Sequence, residues 1–381
     1  MTAERAANDV RARFRRRYGR EPAVAWTCPG RVNLIGDHTD HQGGLALPFA
    51  IDRYVTVVVA PREDATVRVC STDYPDDASG SLTQQPPADG WASYVLGAAW
   101  LLHRRGLLSH GADVSVSSTL PVGAGLSSSA AITCAAVCAL AEVAGEPLSR
   151  ADAARIAQQV ETDVVGAPVG LLDQTAVLFA EAGTALLIDF TAGGHESVPL
   201  PGEGWGFAIV DTRVAHANAD GQYAALRRRL DSARERLGIG SLSVLDVETV
   251  ADRQSDLGAA YPAVRHVVTE NDRVRRAAVA LRVNDIGRVG ALMLQSHESL
   301  RDDLGVSCPE LDLAVTLAMG AGATGARMTG GGFGGSAVVL ATRDVLVGLE
   351  SLVVPGFLAA GMSRPTVLDV GAVAGAGPAA A

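Results

Sequence analysis

The sequence predicts an α+β protein of two domains that share one cleft, and three observations predict it. The chain has 381 residues, more than one hydrophobic core usually serves. Alternating runs of strand type, such as YVTVVVAP and ADVSVSSTLP, stand beside long alanine-rich stretches of helical type. A Gly/Pro-rich interruption from Pro199 to Gly206 separates two such sets, which gives an N-terminal domain of 1–199 and a C-terminal domain of 200–381. Hydrophobic residues make up 48% and charged residues 19%, the balance of a well-packed globular chain.

Taken in order, the first stretch contains RARFRRRYGR, whose arginines could suggest a membrane or RNA contact. Val10, Phe14 and Tyr18 recur every four residues, so an amphipathic surface helix is the better reading. AVAWTCPGRVNLIG reads as a strand entering a turn, and YVTVVVAP and TVRVCST as antiparallel strands. ADVSVSSTLP is a further strand that runs through the turn PVGAG into SSSAAITCAAVCALAEVAG, a buried helix by its length and alanine content. A second helix is expected from about Ser149 to Val165, then GLLDQTAVLFA, and then a strand at TALLIDF. Beyond the boundary come a strand at GFAIVDT, three helical patterns between Gln222 and Gly320, and a glycine loop, GARMTGGGFGGSAVVLA, feeding another strand. The terminal GAVAGAGPAAA is low in complexity and is expected to fray.

Composition excludes several classes of function. The chain contains no lysine, so its 32 basic side chains are all arginine. A Walker A loop, a protein-kinase strand lysine and a Schiff base are therefore ruled out. Phosphate chemistry must rest on backbone N–H groups, helix N-termini, metal ions or arginine. The net charge of −10 opposes nucleic-acid binding. The five cysteines, Cys28, Cys70, Cys134, Cys138 and Cys308, are scattered without zinc or disulfide spacing and read as reduced and mostly buried. With no apolar leader and no run of transmembrane length, the expected location is the cytoplasm, with no membrane partner.

Three segments carry chemistry. In PVGAGLSSSAA, Gly123 and Gly125 let backbone approach a phosphate, and Ser127, Ser128 and Ser129 cap the following helix and can reach phosphate or Mg²⁺. An ordinary capped helix is the bland alternative. In TGGGFGGSA, five glycines around Phe333 imply close approach to a ligand or to the other loop. In PGRVNLIGDHTDHQGG, Arg31, Asp37, His38, Asp40 and His41 crowd a turn-rich segment suited to a polyhydroxyl ligand. A metal site is the rival there, but no further ligand completes a set.

Together these segments resemble the galactokinase branch of the kinase superfamily that includes homoserine, mevalonate and phosphomevalonate kinases. GRVNLIGDHTDHQGG is similar to the galactokinase signature, PVGAGLSSSAA to the superfamily's ATP loop and ARMTGGGFGGSA to its third motif. GLLDQ, VDTRVAH followed by Tyr223, and SHESLRDDLGVSCPELD add to the likeness, which spans essentially the whole chain. The resemblance implies a two-domain small-molecule kinase fold. Its N-terminal domain would be ribosomal-protein-S5-like and its C-terminal domain ferredoxin-like, with the active site between them. It implies ATP-dependent phosphorylation of the anomeric hydroxyl of galactose or a galactose-like sugar, with ATP and Mg²⁺, by a monomer or small homo-oligomer.

By the same resemblance Asp173 would accept or orient the proton of the anomeric hydroxyl, and Arg31 would neutralise charge beside it. Ser129 and Glu161 would hold Mg²⁺, and Asp37, His38, Asp40, Gly170 and Tyr223 would contact the sugar. Positioning plus charge neutralisation is a sufficient set for phosphoryl transfer. One departure stands out: GDHTDHQGG occupies the place where galactokinases usually read GEHTDYN. Asp37 is one methylene shorter than that glutamate, which lies toward the sugar's C6 hydroxyl. Space beyond C6, and with it acceptance of heptoses or octoses, is the alternative expectation. A non-catalytic sugar and ATP sensor is a second, against which the complete serine loop, Asp173 and Arg31 all argue.

Overall fold

The computed structural model describes residues 3–214 and 219–379. Thirteen strands among these form three sheets: β1 (Val24–Asn33), β2 (Leu45–Ala46), β3 (Pro48–Pro61), β4 (Thr66–Ser71), β5 (Ala78–Ser81), β6 (Ala112–Ser118), β7 (Thr184–Asp189), β8 (Gly194–Pro199), β9 (Trp205–Asp211), β10 (Gly325–Thr329), β11 (Ser336–Thr342), β12 (Thr366–Val370) and β13 (Gly377–Pro378). The largest sheet has the order β13-β1-β3-β6-β4-β5, antiparallel except where β4 meets β6. A three-stranded sheet runs β2-β7-β8 and a four-stranded one β10-β11-β9-β12, both antiparallel. The result is a two-domain α+β fold, as expected.

The helix Ser128–Val143 lies on β1 and β3 and buries all its alanines, so small side chains let it sit close to the sheet. On the outer side of that sheet the helix Ala3–Tyr18 buries Val10 and Phe14, the apolar stripe read from the sequence. The helix Arg150–Gln159 continues into a π-helical turn, Val160–Val165, which ends on left-handed Gly166. Between β9 and β10 come four long helices rather than three: Ala219–Leu237, Tyr261–Arg282, Ile286–Ser299 and Pro309–Gly320. Among the described residues no helix is long and apolar enough to cross a membrane.

The expected fraying of GAVAGAGPAAA is corrected for residues 371–379. Having left β12, this segment returns to the N-terminal sheet, where β13 pairs with β1 through Trp26↔Pro378 and Thr27↔Gly377. Backbone N–H groups of Val373, Gly375, Ala376 and Ala379 donate to carbonyls of Ala50, Ala180, Val177 and Ala25 at 2.8–3.0 Å. Gly375 is required because a Cβ there would lie 2.6 Å from the Leu178 carbonyl oxygen. Small residues give no hydrophobic period to read, yet they let a strand lie flat on a crowded surface. Truncation after Val370 is expected to lower the thermal unfolding midpoint by about 5 °C or more, since several net-stabilising hydrogen bonds go with it. An unchanged midpoint in a thermal melt would show the segment to be dispensable.

Candidate active site

The sugar-signature segment leaves β1 and turns back within a few residues, which forces unusual backbone. Gly36 has φ +102, and a Cβ on it would lie 2.5 Å from the Leu45 carbonyl oxygen. His38 takes a left-handed φ of 61 without being glycine, a strained geometry typical of functional loops. What holds the turn is buried. Asp37 Oδ2 accepts from Arg327 Nη2 at 2.6 Å, and Oδ1 accepts from Asn33 Nδ2 at 3.0 Å and Gly330 N at 3.3 Å. Burial pushes the Asp37 carboxyl up, and Arg327 and Asn33 pull against it. Arg327 has no solvent exposure at all, and its Nη1 also donates to the Asn33 carbonyl. Gly36 N donates to Glu270 Oε1 at 2.9 Å, and His266 Nε2 lies 3.1 Å from the Asp37 carbonyl oxygen. The carboxylate expected to face the far end of a sugar is thus engaged by three protein donors.

Beyond that latch the segment presents His38 and Asp40. The His38 ring is buried, neither nitrogen has a hydrogen-bond partner among the described residues, and burial holds its pKa down at about 3, so it is neutral. Burial works against the Asp40 carboxylate, but His41, whose Nδ1 is 3.2 Å from Oδ1, overcomes this and keeps it ionised. Gly170 leaves room for Asp40: a Cβ there would lie 2.1 Å from Oδ2. Tyr223, on the helix Ala219–Leu237, stands with its ring centroid 5.4 Å from that of His38. Arg227, one turn on, donates to the Pro168 carbonyl at 2.7 Å and so ties this helix to the segment carrying Gly170.

Arg31, near the end of β1, reaches Asp173 near the start of the helix Leu172–Phe179. Nε and Nη2 both donate to Oδ1, at 2.8 and 2.5 Å, while Nη1 donates to the Gly125 carbonyl at 2.8 Å. The glycine turn has left-handed backbone at Gly123 (φ 78), Gly125 (φ 73) and Ser127 (φ 60). The expectation that the serines cap the helix is corrected at Ser127. Its side chain makes no cap bond and instead donates to Asp173 Oδ2 at 2.6 Å. The second glycine loop meets the first, as its composition implied. Ser336 Oγ donates to the Ala124 carbonyl at 2.7 Å, and a Cβ on Gly330 would lie 3.5 Å from the Gly125 carbonyl oxygen.

A cavity of about 160 Å³ opens where these parts converge. Arg31, Asp37, His38, Asp40, Gly170, Asp173 and Tyr223 all line it, with Val169, Leu172, Gly330 and Gly331. Ser128 and Ser129 are half-buried in the first turn of the helix beside it. Glu161, 1% exposed on the π-helical turn, hydrogen-bonds Ser129 and accepts from Gln174 Nε2 at 2.6 Å. The sequence reading missed Arg327, which lies 290 residues from Asp37 and could have been suspected only from its place beside the glycine loop. It also missed Tyr74 and Trp91, stacked at 5.3 Å with planes 6° apart. Their segment is tied to the strand that feeds the glycine turn, through Ser118 N donating to Asp73 Oδ2 at 2.8 Å. Of the VDTRVAH motif, Ala215 and His216 lie outside the described residues.

Comparison with known proteins agrees with this layout. The galactokinase galactose-binding signature matches residues 12–61, the GHMP kinases N terminal domain 93–181 and the GHMP kinases C terminal pattern 277–347. A galactokinase of Streptomyces coelicolor is 40% identical over 98% of both chains. One of Mycobacterium tuberculosis is 38% identical over 93% of this chain and 98% of its own. The crystal structure of Lactococcus lactis galactokinase complexed with galactose superposes with a TM-score of 0.92 at 28% identity, covering 98% of this chain and 99% of that one. The Methanococcus jannaschii mevalonate kinase shares the fold at a TM-score of 0.67 and 20% identity, covering 92% and 98%. With family signatures matched in both halves of the chain and relatives aligned over nearly its full length, the chain belongs to the galactokinase family, within the GHMP kinases.

Proposed function

We propose that the chain transfers the γ-phosphoryl group of ATP to the anomeric hydroxyl of galactose, giving galactose 1-phosphate and ADP. The observation that carries this is the meeting, at one small cavity, of the Arg31–Asp173 pair with unpartnered polar groups and a glycine-rich helix start. His38, Asp40 and Tyr223 supply donors and acceptors for ring hydroxyls, and buried groups of this kind reject a ligand that leaves them unpaired. The sugar C1 oxygen gives its proton to Asp173 as it bonds to the γ-phosphorus, and the bridging oxygen leaves with ADP. Arg31 offsets charge on the transferring group, from a fixed position that needs no reorganisation. The backbone N–H groups after Gly125 and the dipole of the helix Ser128–Val143 face the phosphates. The Tyr74–Trp91 stack offers a flat apolar step for the nucleobase. The unpaired thiols suit a reducing compartment, and we place the protein in the cytoplasm.

The residues present suit a magnesium ion. Among the described residues Glu161 is buried with no basic side chain hydrogen-bonded to it, beside the Ser129 hydroxyl, and Gln174 Oε1 next to it has no partner. Magnesium takes one or two protein oxygens and fills its remaining positions with phosphate and water, so two ligands suffice. Bound there, it would neutralise phosphate charge. The C6-extended-sugar alternative is not favoured. Asp37 is engaged by protein donors, and a relative with galactose bound superposes closely. The sensor alternative is not favoured either, because the serine loop and the Arg31–Asp173 pair are intact.

Asp173→Ala and Arg31→Ala are expected to lower kcat by about three orders of magnitude or more in an ADP-release assay, with folded protein by circular dichroism. Turnover near normal in the aspartate variant would end the proton-acceptor role. Chelator should abolish turnover, and Ser129→Ala should raise the metal concentration needed; indifference to chelator would contradict the metal site.

Glu161 gives a pH test that needs no substrate. Burial raises its pKa from about 4.5 to about 7, with the nearby Asp173 adding and Ser129 opposing. A raised acid pKa contributes stability that is fully present below pH ~4.5 and lost as pH climbs through ~7, on the order of 3 kcal/mol. Glu161→Gln should therefore be more stable than the native protein at pH 8, and the gap should shrink at pH 5. Urea unfolding at both values reads this; a gap independent of pH would contradict it.

A further inference from the structure

The two oxygens of Asp173 are not equivalent. Oδ1 takes two donors from Arg31, Nε at 2.8 Å and Nη2 at 2.5 Å, which uses both of its lone-pair sites. Oδ2 takes one donor, the Ser127 hydroxyl at 2.6 Å, and keeps one site. Because Asp173 lines the cavity, that remaining Oδ2 site is the one a sugar hydroxyl can use.

The backbone of Ser127 is shaped for this contact. A serine at a helix start normally has extended backbone and accepts an N–H from the first turn. Ser127 instead sits at φ 60, ψ 42 and makes no side-chain cap. A left-handed non-glycine residue persists only where its surroundings impose it. Here it swings the hydroxyl away from the helix N–H groups and toward the carboxylate. The same loop grips the other member of the pair, since the Gly125 carbonyl accepts from Arg31 Nη1 at 2.8 Å.

We propose that Ser127 is a positioning residue for phosphoryl transfer: it donates to Asp173 Oδ2 and leaves a single lone pair of that oxygen facing the sugar hydroxyl. It is not a ligand of the ATP phosphates, which fall to the backbone N–H groups and to the serines that follow. This rests on Asp173 being the proton acceptor. The step itself is unchanged: the proton passes from the C1 hydroxyl to Oδ2 while the C1 oxygen bonds to phosphorus.

The test uses the full chain with Ser127→Ala, Ser127→Gly and Ser127→Cys, measuring kcat, KM for ATP and galactose, and Kd for ADP by calorimetry. Alanine and glycine should each lower kcat by about 10- to 100-fold, the worth of a hydrogen bond to a charged group. KM for ATP and Kd for ADP should stay within about threefold, and cysteine, a weak donor, should restore part of the rate. Glycine suits the left-handed backbone, so it keeps the test alive if alanine misfolds. If Ser127→Gly matches the native kcat, or if the variants raise KM for ATP and Kd for ADP while kcat holds, the proposal is overturned. Asp173→Asn separates the two levels. Near-native turnover there would overturn the proton-acceptor reading, and the serine proposal with it. A dead Asp173→Asn beside an unaffected Ser127→Gly would overturn the serine proposal alone.

Discussion

The buried ion pair between Asp37 and Arg327 is the constraint on which the rest of the site depends. It joins the sugar-signature turn, from the first half of the chain, to β10, from the second, with no solvent around the guanidinium. Two buried charges hold together best when each is hydrogen-bonded elsewhere: Asn33 and Gly330 also donate to the carboxylate and the Asn33 carbonyl accepts from the guanidinium, whose Nε has no partner among the described residues. Removing either partner from such a pair typically costs about 3–5 kcal/mol, because the other is left buried and uncompensated. The strained His38 and the cluster behind it, Glu270, His266 and Ser296, are organised around this one contact.

With the turn fixed, burial and neighbours give three different electrostatic outcomes. Asp40 is kept ionised by His41, His38 is kept neutral by burial, and Glu161 is raised by burial, with Ser129 and the more distant Arg31 pulling against it. Under the proposed function these three outcomes would suit three tasks: accepting hydroxyl hydrogens, offering a neutral ring to a polar ligand, and holding a cation. The absence of lysine from the chain fits the same scheme. Under the proposed function phosphate would be met by backbone and helix dipole, and among the described residues lining the cavity the one guanidinium, Arg31, is held by Asp173 beside the transferring group.

Much of this was legible in the sequence where the cause is local. Glycine density announced the two loops because positive φ and close backbone approach demand it. The period of Val10, Phe14 and Tyr18 announced a helix face because burial demands it. The cavity-lining set, from Arg31 to Tyr223, was legible through motif resemblance. What escaped was long-range. Nothing near Arg327 says that it pairs with a residue 290 positions away. Ser127 has the composition of a helix cap, and only the left-handed turn redirects its hydroxyl. The C-terminal Gly/Ala segment has no apolar period, because backbone hydrogen bonds rather than side chains hold it. The π-helical turn that carries Glu161 leaves no mark in composition either.

Phosphorus NMR of the native protein with ATP, Mg²⁺ and galactose tests the central claim most directly. The account predicts a new phosphate monoester resonance coupled to the anomeric proton, growing in step with ADP. A monoester coupled to the C6 protons, or ADP with inorganic phosphate and no sugar ester, would contradict it.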